Sequence, residues 1–239
     1  MNIVCVMPIF GRPAITLETI GLLRDVQTLI LVGSGDCDEA VAKHVGAIYL
    51  EQPNQPLGNK VQAGVDYARE FSPDALLLTG SDSWLSANWC KTMYGHIERG
   101  VHFVGTAHLF VCNLDQMDLT LCSYRARRDS IGAGRMFSTH CLDAIDWKLF
   151  PHNVCRGLDS QSDLLVRSKI MANQILILTD LSCHILEVKS CRWDTMTTYE
   201  RIISSAMICR TPIRPGEPLW PEVLTPSVQA ALTRLLASP

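Results

Sequence analysis

The sequence lacks most of the signatures that would settle its class outright, and each gap narrows the field. No apolar run reaches the ~18 residues that a membrane-spanning helix needs. The opening stretch Met1-Asn2-Ile3-Val4-Cys5-Val6-Met7 has no basic segment ahead of it and meets Pro8 almost immediately. It reads as a strand entering a loop, not as a secretory signal. The ten cysteines contain no CxxC pair, so spacing gives no support to a zinc site. The glycine fingerprint of dinucleotide binding is missing, as are the GK[ST] phosphate loop, the serine nucleophile elbow, the zinc-protease helix motif and the calcium loop. Charge is also unremarkable in amount: a formal net charge of -3 gives no broad reason to favour nucleic acid, although a local basic patch can sit inside such a total. Internal repeats and low-complexity blocks are absent.

What remains is an ordinary globular composition, 47% hydrophobic and 19% charged over 239 residues. That length suits one large α/β domain or a compact domain with an addition. Most cysteines fall inside expected strands and helices, which reads as buried free thiols in a cytoplasmic protein without structural disulfides. The first half alternates short apolar runs with helical periodicity. Strands are expected at Ile3 to Met7, Thr28 to Val32, Ala47 to Leu50 and Ala75 to Leu78. Helices are expected at 14–24 with Leu17, Ile20 and Leu23 inward, and at 59–70. In the second of these, Val61, Gly64, Val65 and Ala68 face inward and Lys60, Asp66 and Arg69 face water. Another helix follows from about Ala87.

The second half is mixed. Strands are expected at 101–112, 117–124, 175–178 and 184–188, and helices near Ser138, at 161–170, after a Thr197/Glu200 capping pair, and from Thr225-Pro226 onward. The fold class is therefore α/β: a central, mainly parallel, Rossmann-like sheet flanked by helices, with a mixed C-terminal half. The expected organisation is one domain over 1–211, with halves at 1–100 and 101–211. A C-terminal wrap and short helix fill 212–239.

Parallel sheets place ligands beyond the carboxyl ends of their strands, which directs attention to the loops. Gly80-Ser81-Asp82-Ser83 follows the fourth strand, where a carboxylate can hold a divalent ion bridging two phosphates; the competing reading is a simple turn or cap. Asp36, after Gly33-Ser34-Gly35, can meet a base or ribose, or cap its own helix with Glu39. Gly132-Ala133-Gly134-Arg135 can let backbone approach a ligand while Arg135 meets a phosphate, or it is a tight turn. Asp159 can accept a proton from an attacking hydroxyl, or cap a helix. His184 is a core or edge histidine, or a metal ligand. Trp84, Trp89, Trp147 and Trp193 are core packing, or one or two of them stack on a sugar or base.

Taken together these residues resemble the GT-A glycosyltransferases, especially the family-2-like group, over roughly residues 1–195 and most closely in the first half. Val6-Met7-Pro8-Ile9-Phe10-Gly11-Arg12 looks like that group's first strand and nucleotide-entry loop, Gly35-Asp36 like its base-binding acid, and Asn54 with Gly58-Asn59-Lys60 and Ala63-Gly64 like its third loop and following helix. Where many members carry Asp-x-Asp, this sequence has Gly80-Ser81-Asp82: the first acid is absent and the last survives. The resemblance makes 1–211 a catalytic domain with 1–100 as its nucleotide-binding half and 101–211 as its acceptor-side half, and it puts Gly132 to Arg135 on the acceptor side and Asp159 near the catalytic base of inverting members. It brings Lys189, in Leu186-Glu187-Val188-Lys189-Ser190, towards the donor phosphates.

The resemblance implies transfer of a sugar from a nucleotide diphosphate sugar to a hydroxyl-bearing acceptor, assisted by Mn²⁺ or Mg²⁺. Asp159 is the expected base, and Asp82, with His184 as a weaker partner, the metal ligand. Pro8, Arg12, Asp36, Asn54, Lys60, Ser81, Asp82, Arg135 and Lys189 are the expected donor contacts. Hydroxymethylated DNA is a sensible acceptor to screen, since some small members decorate modified bases and Arg125, Arg127 and Arg128 form a small cationic cluster. A solvated surface cluster is the plainer reading of those arginines. Two rival activities stand beside transfer: a nucleotidyltransferase acting on a sugar phosphate, and a catalytically silent nucleotide-sugar-binding module.

Overall fold

The computed structural model describes residues 1–124, 130–181, 183–193, 199–205 and 208–237. The Arg125, Arg127 and Arg128 cluster and the Thr197 cap lie outside the described residues.

The elements, in chain order, are β1 (Ile3–Pro8), α1 (Pro13–Leu22), β2 (Thr28–Gly33), α2 (Asp36–Val45), β3 (Ile48–Glu51), α3 (Leu57–Ala68), β4 (Ala75–Leu78) and β5 (Ser83–Leu85). There follow α4 (Trp89–Glu98), β6 (Phe103–Thr106), β7 (His108–Asn113), β8 (Asp118–Tyr124), β9 (Arg135–Ser138), α5 (Thr139–Ala144) and α6 (Leu158–Lys169). The chain closes with β10 (Ile175–Leu178), β11 (Ile185–Lys189), α7 (Tyr199–Ile203), β12 (Ile208–Ile213), α8 (Leu219–Val223) and α9 (Pro226–Ala237).

A seven-stranded sheet runs in the order β10-β6-β9-β4-β1-β2-β3. All its pairings are parallel except those of β9, which runs against both β4 and β6. The mainly parallel α/β sheet expected from the sequence is therefore present. A second sheet, β12-β8-β7-β11-β5, packs beside it and is mostly antiparallel.

Alternation along β1 shows how the core is divided, because successive side chains leave opposite faces of a strand. Val4 and Val6 face Val61 and Val65 of α3 with Leu158 and Val166 of α6, while Ile3 and Cys5 face Trp89 and Met93 of α4 with Val111 of β7. Gly64 is where α3 crosses this sheet: a Cβ there would stand 2.5 Å from Val6 and 2.7 Å from Val32. The end of the chain joins the same body, since Ala231, Leu232 and Leu235 of α9 share a core with Ile15, Trp84 and Phe110. Among the described residues no helix is long and apolar enough to cross a membrane.

Several local expectations are corrected. The expected stripe of α1, Leu17, Ile20 and Leu23, packs against the core but is only partly buried, and the fully buried residues are Ile15, Thr16 and Thr19, the last donating from its hydroxyl to the Ser81 carbonyl. Gly35, at φ 115°, precedes α2, so Asp36 is the helix's first residue and makes no capping box with Glu39. The expected strand over 101–112 is split at Ala107 between the two sheets. Residues 135–138 form an unanticipated strand ahead of the expected helix, whose cap is indeed Ser138.

Candidate functional site

Strands β1, β2 and β4 run parallel, so the loops leaving Pro8, Gly33 and Leu78 open at one end of the sheet. The antiparallel β9 begins at that same end: Arg135 pairs with Leu78, and the Gly134 N–H donates to the Leu78 carbonyl at 2.7 Å. Glycine is required at 134, since φ is +74° and a Cβ would lie 2.6 Å from Trp89. From the second sheet, the Val188 N–H donates to the Asp82 carbonyl at 3.0 Å, which brings the end of β11 to the turn after β4. Three parts of the sequence thus meet at one place.

The centre of that place is Asp82. Its Oδ2 accepts from Lys189 Nζ at 2.6 Å and from Arg12 Nη1 at 3.1 Å, and Arg12 Nη2 also donates to Ser81 Oγ at 2.8 Å. Burial pushes the Asp82 carboxyl up, but the charges of Lys189 and Arg12 outweigh it and hold the group down at about 2. Glu187 Oε2 lies 3.3 Å from Lys189 Nζ. Its carboxyl is raised by burial, held back by Lys189, and raised further by the charges of Asp82 and Asp159. Asp159 therefore shares an electrostatic neighbourhood with the Asp82 cluster. Its carboxylate lies directly against the backbone of Gly132, where any side chain would collide with it. Asp159 stands within the first turn of α6 and not in the loop before it.

Two expected phosphate contacts have other work. Lys60 is buried, not wet: its Nζ donates to the Ile9 carbonyl at 2.6 Å, Ser34 Oγ at 2.8 Å and Asn54 Oδ1 at 3.1 Å. An ammonium has three N–H donors, so all are consumed in tying together the loops after β1, β2 and β3. Burial lowers its pKa to about 8, against a smaller upward pull from Asp38. Arg135 is likewise buried, and its five donors go to the Ile131, Ser130 and Asp159 carbonyls, Ser162 Oγ and Asp163. Asp163 accepts from Ser130 N and Oγ and pairs with Arg135 at 3.2 Å. This bracket fixes the 130–135 turn to the start of α6, and so fixes Asp159 against Gly132.

On the nucleotide side, Asp36 is exposed at the start of α2 and Pro8 ends β1. The acid that joins those loops is Asp38, which accepts from Gly11 N at 2.9 Å and Ser34 N at 2.8 Å. Phe10 is 51% exposed beside Lys60, whose Nζ lies 5.5 Å from the ring centroid. Asp38, Glu187 and Phe10 were not singled out by sequence. Glu187 sits one residue from Val188 and two from Lys189, and Asp38 two beyond Asp36, which is the only signal they carried.

The structure does not bring His184 to Asp82. His184 stands beside Ser86, whereas Asp82 meets Val188 four residues further along β11, about 13 Å away at ordinary strand rise. Its ring packs edge-on against Phe110 at 5.6 Å, and burial lowers its pKa. Trp84, Trp89 and Trp147 are buried with their indole N–H groups bonded to Thr19, Gly134 and Asp143, so they are core and not stacking platforms. A resident divalent ion also fails to fit. Divalent cations of this kind take several oxygen ligands, but Asp82 Oδ2 already serves two cations and position 80 is glycine. Among the described residues no group of three His, Cys, Asp or Glu side chains converges on a metal position.

No protein-family description matches the chain, and no curated protein is similar to it. Solved structures are. The S. aureus TarS 1-349 structure in complex with UDP-GlcNAc superposes with a TM-score of 0.58 at 13% identity, covering 86% of this chain and 61% of that one. Without that ligand, S. aureus TarS 1-349 gives a TM-score of 0.57 at 14% identity over 79% of this chain and 60% of its own. Glucosyl-3-phosphoglycerate synthase from Mycobacterium tuberculosis, in complex with phosphoglyceric acid, gives 0.53 at 14% identity, covering 100% of this chain and 81% of that one. The chain spans about three fifths of the TarS structures it matches. It has the GT-A-type fold of nucleotide-sugar glycosyltransferases.

Proposed function

We propose that the chain moves a sugar from a nucleoside diphosphate sugar to an acceptor hydroxyl, with inversion at the anomeric carbon. The observation that carries this reading is the Arg12–Asp82–Lys189 cluster at the carboxyl ends of the parallel strands, with Asp159, packed on Gly132, near enough for its charge to raise the neighbouring Glu187 carboxyl. The acceptor oxygen attacks the anomeric carbon and passes its proton to Asp159. The bond from that carbon to the β-phosphate oxygen breaks, and its electron pair leaves with the nucleoside diphosphate. Arg12 and Lys189 stand where the leaving charge collects. Ser81, Asp36, Asn54, Pro8 and the exposed Phe10 line the nucleotide side, Phe10 offering a face for a base. Lys60 and Arg135 act by holding loops in place.

The similar TarS structures in complex with UDP-GlcNAc and UDP make uridine nucleotides the first donors to try. The Mg²⁺ or Mn²⁺ expected at Asp82 would have to arrive on the donor's own oxygens, since the protein's donor set does not assemble a centre for it. Ten unpaired thiols favour a reducing compartment such as the cytoplasm. The acceptor is defined here only as a hydroxyl, and hydroxymethylated DNA is one arm of the screen. Mass spectrometry of the protein incubated with a mixed nucleotide-sugar panel, with and without divalent metal, tests the reading. Retention of a donor with slow release of its nucleoside diphosphate is expected. Pyrophosphate released from a nucleoside triphosphate would instead establish a nucleotidyltransferase, and no retained donor would leave a fold without this activity.

A further inference from the structure

We propose that this site binds the donor diphosphate without a divalent cation, with Arg12 and Lys189 supplying the positive charge and Asp82 serving to hold that pair in place. The proposal rests on the donor reading above and says how its leaving group is met.

Three observations carry it. First, Asp82 is buried and its Oδ2 is shared by two cationic side chains, at 2.6 Å and 3.1 Å. A divalent ion bound through that oxygen would stand beside an ammonium and a guanidinium, all of like sign, in a place shielded from water where such repulsion is strong. Second, a side chain at the position of the missing acid would crowd Ser83 and the Asp82 carboxylate. A Cβ at Gly80 would lie 2.9 Å from Ser83 Oγ and 3.1 Å from Asp82 Oδ1, so glycine there lets the carboxylate pack down towards its cations. Third, the neighbouring acid is committed to the same cation, Glu187 Oε2 lying 3.3 Å from Lys189 Nζ. The pair is also anchored from behind. Arg12 Nη2 donates to Ser81 Oγ at 2.8 Å, and the Ser81 carbonyl accepts from Thr19 Oγ1 at 2.7 Å, whose oxygen in turn accepts from Trp84 Nε1 at 2.9 Å. A guanidinium and an ammonium held in this way match the two kinds of phosphate contact, forked and point-like.

The experiment is titration calorimetry of the full chain with UDP, and with GDP as a second probe, in chelator and in excess Mg²⁺ or Mn²⁺. The parent is expected to bind one of them with the same affinity, within about twofold, in both conditions. Lys189→Met is expected to weaken binding about tenfold or more in both. Asp82→Asn separates the two ways of handling the diphosphate most sharply. Its neutral amide oxygen can still accept from both cations, so whatever affinity it loses should be the same, within about twofold, in chelator and in excess metal, whereas loss of a metal ligand would weaken binding only where metal is present. Should Asp82→Asn fail to fold, the parent's chelator series and Lys189→Met still decide the matter. Binding that vanishes in chelator and returns with Mn²⁺ overturns the proposal and leaves the donor reading standing, as does parental affinity in Lys189→Met. Failure of both nucleotides to bind under every condition overturns both.

Discussion

Two buried acid–base clusters in this molecule look alike on paper and differ in what surrounds them. Arg135 and Asp163 sit between the 130–135 turn and α6, and the guanidinium spends its five donors on three backbone carbonyls, a serine and the aspartate. Arg12, Lys189 and Asp82 sit at the strand ends, where two cations converge on one carboxylate oxygen. Backbone carbonyls cannot be exchanged for a ligand without unfolding a loop, but a carboxylate held between cations marks a place for negative charge. We read the first cluster as a bracket and propose the second as a binding site. Sequence ranks both arginines as donor contacts, Arg135 from its glycine-rich turn and Arg12 through the resemblance of its loop.

The largest effect should come from breaking the bracket. Arg135→Met leaves Asp163 buried without its cation, and loss of one partner from such a pair costs about 3–5 kcal/mol. Denaturant unfolding measures that loss. UDP affinity of the folded fraction should stay within about twofold of the parent, whereas a bracket that also bound phosphate would show a large drop. Next comes Asp159, which the bracket positions. Asp159→Asn should keep donor affinity and stability while single-turnover transfer falls by roughly 10²-fold or more. Glu187→Gln is the comparator, because Glu187 shares the same neighbourhood. A greater loss of transfer in Glu187→Gln than in Asp159→Asn would move the base onto β11.

The difference between the clusters also explains what could and could not be read from the chain. Strands β1 to β4 follow directly from short apolar runs broken by glycine and proline, and their parallel order follows from the intervening helices. Asp82 follows from its strand-end turn and Lys189 from the resemblance, and their contact, across 107 residues, is something neither pattern carries. β9 escaped because four residues after a glycine-rich turn, running into a good N-cap at Ser138, carry too little pattern to separate strand from helix entry. Lys60 was misjudged because helical periodicity puts it on the outer face of α3. Periodicity records the helix axis and nothing of the three loops that fold over its first turn. Periodicity is equally silent on the contact between Ser130 and Asp163, which lie 33 residues apart.

Lys60 offers a smaller effect that tests whether loop-tying and binding are separate tasks. Lys60→Met removes three hydrogen bonds at once and strands the Ile9 carbonyl, so a loss of about 1–3 kcal/mol is expected. Because Lys60 ties the loops after β1, β2 and β3, UDP should also bind more weakly, while the Arg12–Asp82 contact persists. A variant of parental stability with binding abolished would make Lys60 a direct phosphate contact after all. Its titration has a definite sign. The native pKa of about 8 lies below the ordinary lysine value of 10.5, so the unfolded chain holds the proton more tightly. Stability from this group should therefore rise as pH climbs from about 8 to 10.5, and that rise should be missing in Lys60→Met.

The smallest effect belongs to the second cluster and runs towards acid. The folded pKa of Asp82 is depressed to about 2, below its ordinary value of 3.8, because Lys189 and Arg12 outweigh the burial that opposes them. A depressed carboxylate pKa gives stability that is fully present above the unfolded value. As pH falls from about 4 towards 2, the unfolded chain takes up its proton first and the advantage is lost. The change expected from Asp82 alone is about 1–2 kcal/mol across that window. Lys189→Met should shrink it, because one of the two cations holding the carboxylate down is gone. Arg135→Met should leave it in place, because that guanidinium belongs to the other cluster. Equilibrium unfolding of the parent and both variants at several pH values reads the difference. If Lys189→Met kept the parent's full acid dependence, the carboxylate would not owe its low pKa to that cation. The picture of Asp82 as the seat of a prearranged pair would then give way to a turn residue that merely accepts hydrogen bonds.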